Sequence, residues 1–213
     1  LNNLGTPHGQ GEDIIRVLGE VLAAVPDAIL IGGWASWVRL NGMISHDIDL
    51  LASRADLAQI QFIATDVSES RHIAGRKWRA ERDGVHLDLY VPYESRLGQR
   101  LELRTEVLTR HAERYEGYRL LTVDAHIATK LAALLDRADS QPGQKDRREL
   151  RKLLALGGSE TPRILMEASP RSPRELAALM EEAFEYLTES EGVDRAERSD
   201  LRNILAAWLQ ELG

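Results

Sequence analysis

Apolar positions recur along this chain in two spacings, and the switches between them mark out the elements. From Asp13 to Val25, residues Ile14, Val17, Leu18, Val21 and Leu22 share one helical face, which Pro26 ends. The unbroken run Ala28-Ile29-Leu30-Ile31 predicts a buried strand. Ala35 to Leu40 then predicts a short helix, and Asp47 to Ala52 a second strand. Asp56 to Gln61 reads as a short helix, or as a turn before Phe62–Ala64. Trp78–Arg82 and Val85–Val91 flank Asp83-Gly84, a two-residue hairpin signal, and Pro92 stops the second arm. The charged interval from Glu94 to Arg114 is ambiguous, with Leu101, Leu103 and Val107 consistent with a strand followed by a helix.

Beyond it the spacing becomes helical. Leu120 to Asp124 leads into an apolar helix from Ala125 to Leu135. A loop is expected over residues 140–144, and a further helix from Lys145 to Leu156, ended by Gly157-Gly158. Residues 159–171 read as a proline-containing linker. Ser172-Pro173-Arg174-Glu175 has the form of a helix start, for a helix running to about Glu189, and a last helix spans Arg195 to Leu212. Residues 1–10 are polar and expected to be loose. Strands first and helices afterwards predict an α+β protein: a small mixed sheet with flanking helices over residues 1–120, and a helical region over 121–213.

Composition narrows the chemistry. The chain of 213 residues has no cysteine, which removes disulfides, thiolate nucleophiles and cysteine zinc sites. No basic-then-apolar leader and no membrane-length apolar run is visible, so a cytoplasmic protein is expected, with its start at Leu1 processed or trimmed. A net charge of -7 argues against a uniformly basic nucleic-acid coat, while leaving room for RNA at one local patch. Lysine is scarce among the 27 basic residues, occurring only as Lys77, Lys130, Lys145 and Lys152.

The candidate chemistry lies in Ser45-His46-Asp47-Ile48-Asp49-Leu50, downstream of Gly32-Gly33. On a strand, Asp47 and Asp49 share one face while Ile48 and Leu50 turn to the core. Two such carboxylates repel each other unless a cation lies between them, and one or two magnesium ions carrying a nucleoside triphosphate would satisfy them. Asp88, in Val85-His86-Leu87-Asp88-Leu89-Tyr90, can close the cluster from a neighbouring strand. Gly32 and Gly33 permit close approach of a phosphate to the start of a helix. Ser36 and Ser45 are expected to assist there, and His46 to lie in the surroundings. Lys130 either snorkels from its apolar helix or meets the β/γ-phosphates. Asp146 either caps a helix or orients Lys130, a water or the acceptor. Arg137, Arg147, Arg148, Arg151 and Lys152 form either a cationic wall or an ordinary solvated face.

Gly32-Gly33, Asp47-Ile48-Asp49 and Asp88 together resemble the signature of the nucleotidyltransferase superfamily over residues 28–91. Lys130, Arg137 and Lys145-Asp146 further resemble the AbiEii-type toxins of bacterial toxin–antitoxin systems, which include the mycobacterial MenT-type toxins. That resemblance implies catalytic roles for Asp47, Asp49, Asp88, Lys130 and Asp146. It also implies transfer of a nucleoside monophosphate, often from CTP or another pyrimidine triphosphate, to the 3′ acceptor end of tRNA, which blocks aminoacylation. A cognate antitoxin is implied as partner. Trp34, after Gly33, departs from the toxin pattern; Gly-Gly-Trp-Ala with His86-Leu87-Asp88-Leu89 is also similar to aminoglycoside and lincosamide nucleotidyltransferases. A non-catalytic or protein-modifying relative is the remaining alternative. The last two helices are expected either to pack internally or to hold an antitoxin or second subunit.

Overall fold

Strand alternation across Ile48-Asp49-Leu50 and Leu87-Asp88-Leu89 organises the molecule, because the leucines and Ile48 are fully buried on one sheet face. The computed structural model describes residues 10–72 and 75–213. The chain runs α1 (Gln10–Ala24), β1 (Ile29–Ile31), α2 (Gly32–Leu40), β2 (Ile48–Leu51), α3 (Arg54–Ile63), β3 (Thr65–His72), β4 (Gly75–Arg82) and β5 (Val85–Tyr90). A short ribbon, β6 (Arg96–Leu97) and β7 (Leu103–Arg104), precedes α4 (Thr105–Leu108), β8 (Ala112–Tyr115) and β9 (Tyr118–Leu121). Helices complete it: α5 (Val123–Arg137), α6 (Gln141–Leu154), α7 (Thr161–Ala168), α8 (Pro173–Thr188) and α9 (Arg195–Leu212).

The main sheet has the order β3-β4-β5-β2-β1-β9-β8 and is mixed: β2 runs parallel to β5 and β1 parallel to β9, while the other pairs are antiparallel. One face, with Leu30, Ile48, Leu50, Leu87 and Leu89, packs under α1 and α3. The opposite face, with Ile29, Ile31, Leu51 and Leu121, continues into a core shared with the helices from α5 onward. Phe184 on α8 meets Trp208 on α9 edge to face at 5.2 Å and locks the last helix to that core. Among the described residues no helix is long and apolar enough to cross a membrane.

Three elements differ from the sequence reading. The expected loop over 140–144 is the first turn of α6: the Ser140 hydroxyl accepts from the Gly143 N–H at 3.1 Å, and Pro142 fits a turn whose N–H groups have no intrahelical partner. The expected linker 159–171 contains α7, again with a proline in its first turn and with Ile164, Leu165 and Ala168 buried. β3 was not anticipated, because a mostly wet edge strand has little apolar alternation to show; Thr65, Asp66, Ser68 and Glu69 are exposed while Val67 packs partly against the core, and its register with β4 shifts between Thr65 and Ser68. The segment 56–64 resolves to α3 with a Ser53 capping box. The expectation of a loose start falls on residues 1–9, which lie outside the described residues, and on Gln10, which begins α1.

Because the core is continuous from sheet to α9, Trp208→Ala should cost roughly 3–5 kcal/mol in one cooperative urea transition. Two separate transitions in the native protein would instead mark the last helices as an independent unit.

Candidate active site

Parallel pairing of β2 with β5 places Ile48 opposite Leu87 and Asp49 opposite Asp88. Since Ile48, Leu50, Leu87 and Leu89 occupy the α1/α3 side, both aspartates emerge on the other face. Asp47 stands just before β2, exposed, and lines the same cleft. This cleft, of about 600 Å³, lies between the sheet and the α5–α6 pair.

Sterics explain the glycine pair. Gly32 has φ +65°, and a Cβ there would stand 2.3 Å from Asp49 Oδ2; at Gly33 it would stand 2.7 Å from the Ser45 hydroxyl. Glycine therefore lets the β1–α2 turn lie directly against the carboxylate strand. The turn also begins α2, whose start has no side-chain cap, so its leading N–H groups are open to an anion.

The opposite wall is basic. Lys130 on α5 is almost wholly buried, with its Nζ 3.1 Å from Asp146 Oδ1 and in contact with Glu149 Oε2 on α6. Arg137 Nε donates to the other Asp146 oxygen at 2.7 Å. Burial opposes the Arg137 charge, but Asp146, together with Asp49 and Tyr90 nearby, outweighs it and raises its pKa. Asp146 lies inside α6 rather than at its start, so it orients Lys130 and Arg137 instead of capping the helix. Lys145 Nζ reaches 3.8 Å from Glu149 Oε1 and would lie 3.4 Å from a Cβ on Gly33. Arg148 also lines the cleft, whereas Arg151 is bound to Glu197 at 2.6 Å and Arg147 stacks over Tyr186.

Ser36, expected at the phosphates, is not on the cleft. Its fully buried hydroxyl donates to Glu149 Oε2 at 3.0 Å and lies 3.3 Å from His126 Nε2, because the second turn of α2 faces α6 rather than the opening. Burial, with Lys130 and Arg39 nearby, holds the His126 pKa well below its usual value, so the ring stays neutral. Gly32, Gly33, Ser45, His46, Asp47, Asp49, Asp88, Lys130 and Asp146 do converge on the cleft. His86 does not; its ring is exposed, 3.7 Å from Glu81.

Asp49 sits at the electrostatic centre. Burial, then the proximity of Asp88, pushes its pKa up from 3.8 to about 7, with Lys77 relieving part of the effect. Among the described residues no hydrogen-bond donor reaches its carboxylate. Asp88 is better provided for: Lys77 Nζ contacts its Oδ2, and Arg79 Nε lies 3.6 Å from its Oδ1. Tyr90 closes the floor; burial and the two aspartates raise its hydroxyl pKa. Among the described residues no three Asp, Glu or His side chains are close enough to grip one ion. The donor set nevertheless fits a hard divalent cation: aspartate oxygens on one face, with the Asp49 pKa raised by burial and by Asp88 beside it.

Two participants escaped the sequence reading. Glu149 has no motif to announce it. Lys77 was within reach, since the Asp83-Gly84 turn fixes the β4–β5 register at Arg79 opposite Asp88, and Lys77 shares the face of Arg79.

Fold and site together define an α+β protein with an acidic-floored, basic-walled cleft beside a Gly-Gly turn. No family model and no curated protein matches the chain. Among solved structures it is similar to JHP933 from Helicobacter pylori, at a TM-score of 0.51 and 14% identity, over 96% of this chain and 94% of that one. A provisionally named nucleotidyltransferase from H. pylori gives 0.45 at 15% identity, over 95% and 94% of the two chains. Another from Thermotoga maritima gives 0.45 at 15% identity, over 68% of this chain and 94% of that one. The JHP933 likeness establishes a shared mixed α/β fold.

Folding binds the Asp49 proton more tightly than the unfolded chain does. That stabilisation is full below about pH 4 and is lost as pH rises through about 7. Asp49→Asn should therefore melt on the order of 5 °C or more above wild type near pH 8, a gain that shrinks towards pH 4. Glu149→Ala removes one of the two carboxylates that pair the buried Lys130 and the carboxylate acceptor of Ser36, and should cost about 3 kcal/mol in urea denaturation, with smaller loss in Glu149→Gln.

Proposed function

We propose that this protein is a magnesium-dependent nucleotidyltransferase that moves a nucleoside monophosphate, of pyrimidine type, onto the 3′ acceptor end of tRNA. The observation behind the reaction class is the register that sets Asp49 beside Asp88 against the Gly32-Gly33 turn, with cations across the cleft. The acceptor and the nucleotide come from the toxin resemblance of Lys130, Arg137 and Lys145-Asp146. Arg137, Lys145 and Arg148 at the opening are consistent with a polyanionic acceptor. Transfer would leave the tRNA unable to accept an amino acid, and a cognate antitoxin would restrain the enzyme in the cytoplasm.

Asp47, Asp49 and Asp88 are the residues that would hold magnesium. Bound there, the ion supplies positive charge to phosphate oxygens and acidifies the attacking hydroxyl. The chain's own groups do the rest. The open N–H groups at the start of α2 and the Lys145 ammonium receive the triphosphate, and Ser45 borders it. Lys130, fixed by Asp146 and Glu149, presents a directed charge from the wall. The acceptor hydroxyl attacks the α-phosphorus in line and gives its proton to the Asp88 carboxylate, the α–β phosphoanhydride bond breaks, and pyrophosphate leaves towards Lys130, Lys145 and Arg137. Ser36 acts at one remove, tying α2 to Glu149.

Incubation with each α-labelled nucleoside triphosphate, magnesium and total RNA should label tRNA. Asp49→Ala should abolish the label, at least about 100-fold, without changing the circular dichroism spectrum. Full transfer by Asp49→Ala would sink the assignment, and label on an aminoglycoside or lincosamide instead would replace tRNA as the acceptor.

A further inference from the structure

Lys77 is one of only four lysines in a chain that otherwise uses arginine, and its side chain is mostly buried at the cleft floor. It projects from β4 onto Asp88 Oδ2, with its ammonium also 6.0 Å from the Tyr90 ring centre. Asp88 is therefore already satisfied from the β4 side, with Arg79 on its second oxygen. Asp49, its register partner, has no such donor among the described residues. The outcome is an acidic cluster that is not gathered: among the described residues no three acidic or histidine side chains enclose a common point.

We infer that Lys77 is the resident counter-cation of the carboxylate cluster and competes directly with the divalent ion for Asp88. Loading a metal requires the Asp88 carboxylate to leave the Lys77 ammonium and turn towards Asp49 and Asp47. The side chain suits that exchange. A lysine is a compact charge on a flexible four-carbon stem, whereas an arginine fork would hold the carboxylate at two points. The released ammonium stays at the cleft floor, within reach of the Tyr90 ring and of any phosphate arriving with the metal. The free protein thus keeps its aspartates partly neutralised, and the metal displaces the lysine. Lys77 is in these terms a positioning residue that sets metal affinity.

This inference rests on the nucleotidyl-transfer reading only for the identity of the cation, and it is tested without turnover. Manganese(II) binding to the full chain, without nucleotide, can be followed by the electron paramagnetic resonance signal of the free ion. Lys77→Met should bind manganese about tenfold more tightly than wild type, Lys77→Gln should behave alike, and Asp88→Asn should bind more weakly. Unchanged or weaker binding in folded Lys77→Met and Lys77→Gln overturns the proposal. A second measurement does not depend on those variants folding. In wild type carrying isotope-labelled lysine, the Lys77 Cε signal should move on addition of magnesium while that of Lys152 stays in place; a stationary Lys77 signal overturns the proposal. Should no acceptor be labelled in the transfer assay while Lys77→Met still tightens manganese binding, the activity assignment fails and the role of Lys77 stands. Transfer with an unmoved manganese affinity removes the Lys77 role alone.

Discussion

Parallel pairing of β2 with β5 sets Asp49 and Asp88 side by side, and the cleft is arranged around that pairing. A slip of one residue in either strand would turn that strand's carboxylate under α1 and α3 and bring its leucines into the opening. The slip is prevented by the buried apolar partners on the far side, Ile48, Leu50, Leu87 and Leu89, all at zero exposure. Ordinary core packing on one face thus fixes an unfavourable concentration of negative charge on the other. The cost is visible in Asp49, whose carboxyl holds its proton up to about neutral pH.

The basic wall is held by a different means. Lys130 is buried on α5 between Asp146 and Glu149 of α6, and Ser36 of α2 bonds the same Glu149 oxygen. Three helices therefore meet around one ammonium. Burying an isolated charge would be prohibitive, but paired and hydrogen-bonded it acts as a directional lock, specifying how α5 lies against α6 and how both lie against the Gly-Gly turn. Arg137 and Lys145 extend this wall towards solvent.

Much of this was legible in the residues. Alternation in Ile48-Asp49-Leu50 and Leu87-Asp88-Leu89 gives two strands with their acids on one face, and the Asp83-Gly84 turn sets the arm opposite β5. The first turn of α6 and the whole of α7 escaped notice because each opens on a proline, Pro142 or Pro162, which suits a first helical turn as well as a loop; Ser140 caps the former. Depth within the fold was not readable. Ser36 and Lys130 both follow patterns that suit phosphate binding, yet Ser36 faces inward and Lys130 is shared by two carboxylates, because the docking of α6 on α2 and α5 joins residues up to 113 positions apart. Nothing in local spacing announces Glu149. β3 had little apolar signature because Thr65, Asp66, Ser68 and Glu69 are exposed and Val67 packs only partly against the core.

The irregular, hydrophilic character of that last strand bears on solubility. A sheet ends in two unsatisfied borders, and each is a template on which another polypeptide can crystallise as an added strand. On one border the shifted register near Thr65 and the exposed Asp66, Ser68 and Glu69 spoil the flat, greasy ribbon such addition needs. On the other, β8 offers only Ala112-Glu113-Arg114-Tyr115, with Glu113 bound to Arg39. The sheet therefore stops at seven strands by frustrating its own continuation, a built-in guard against fibril-like stacking during folding.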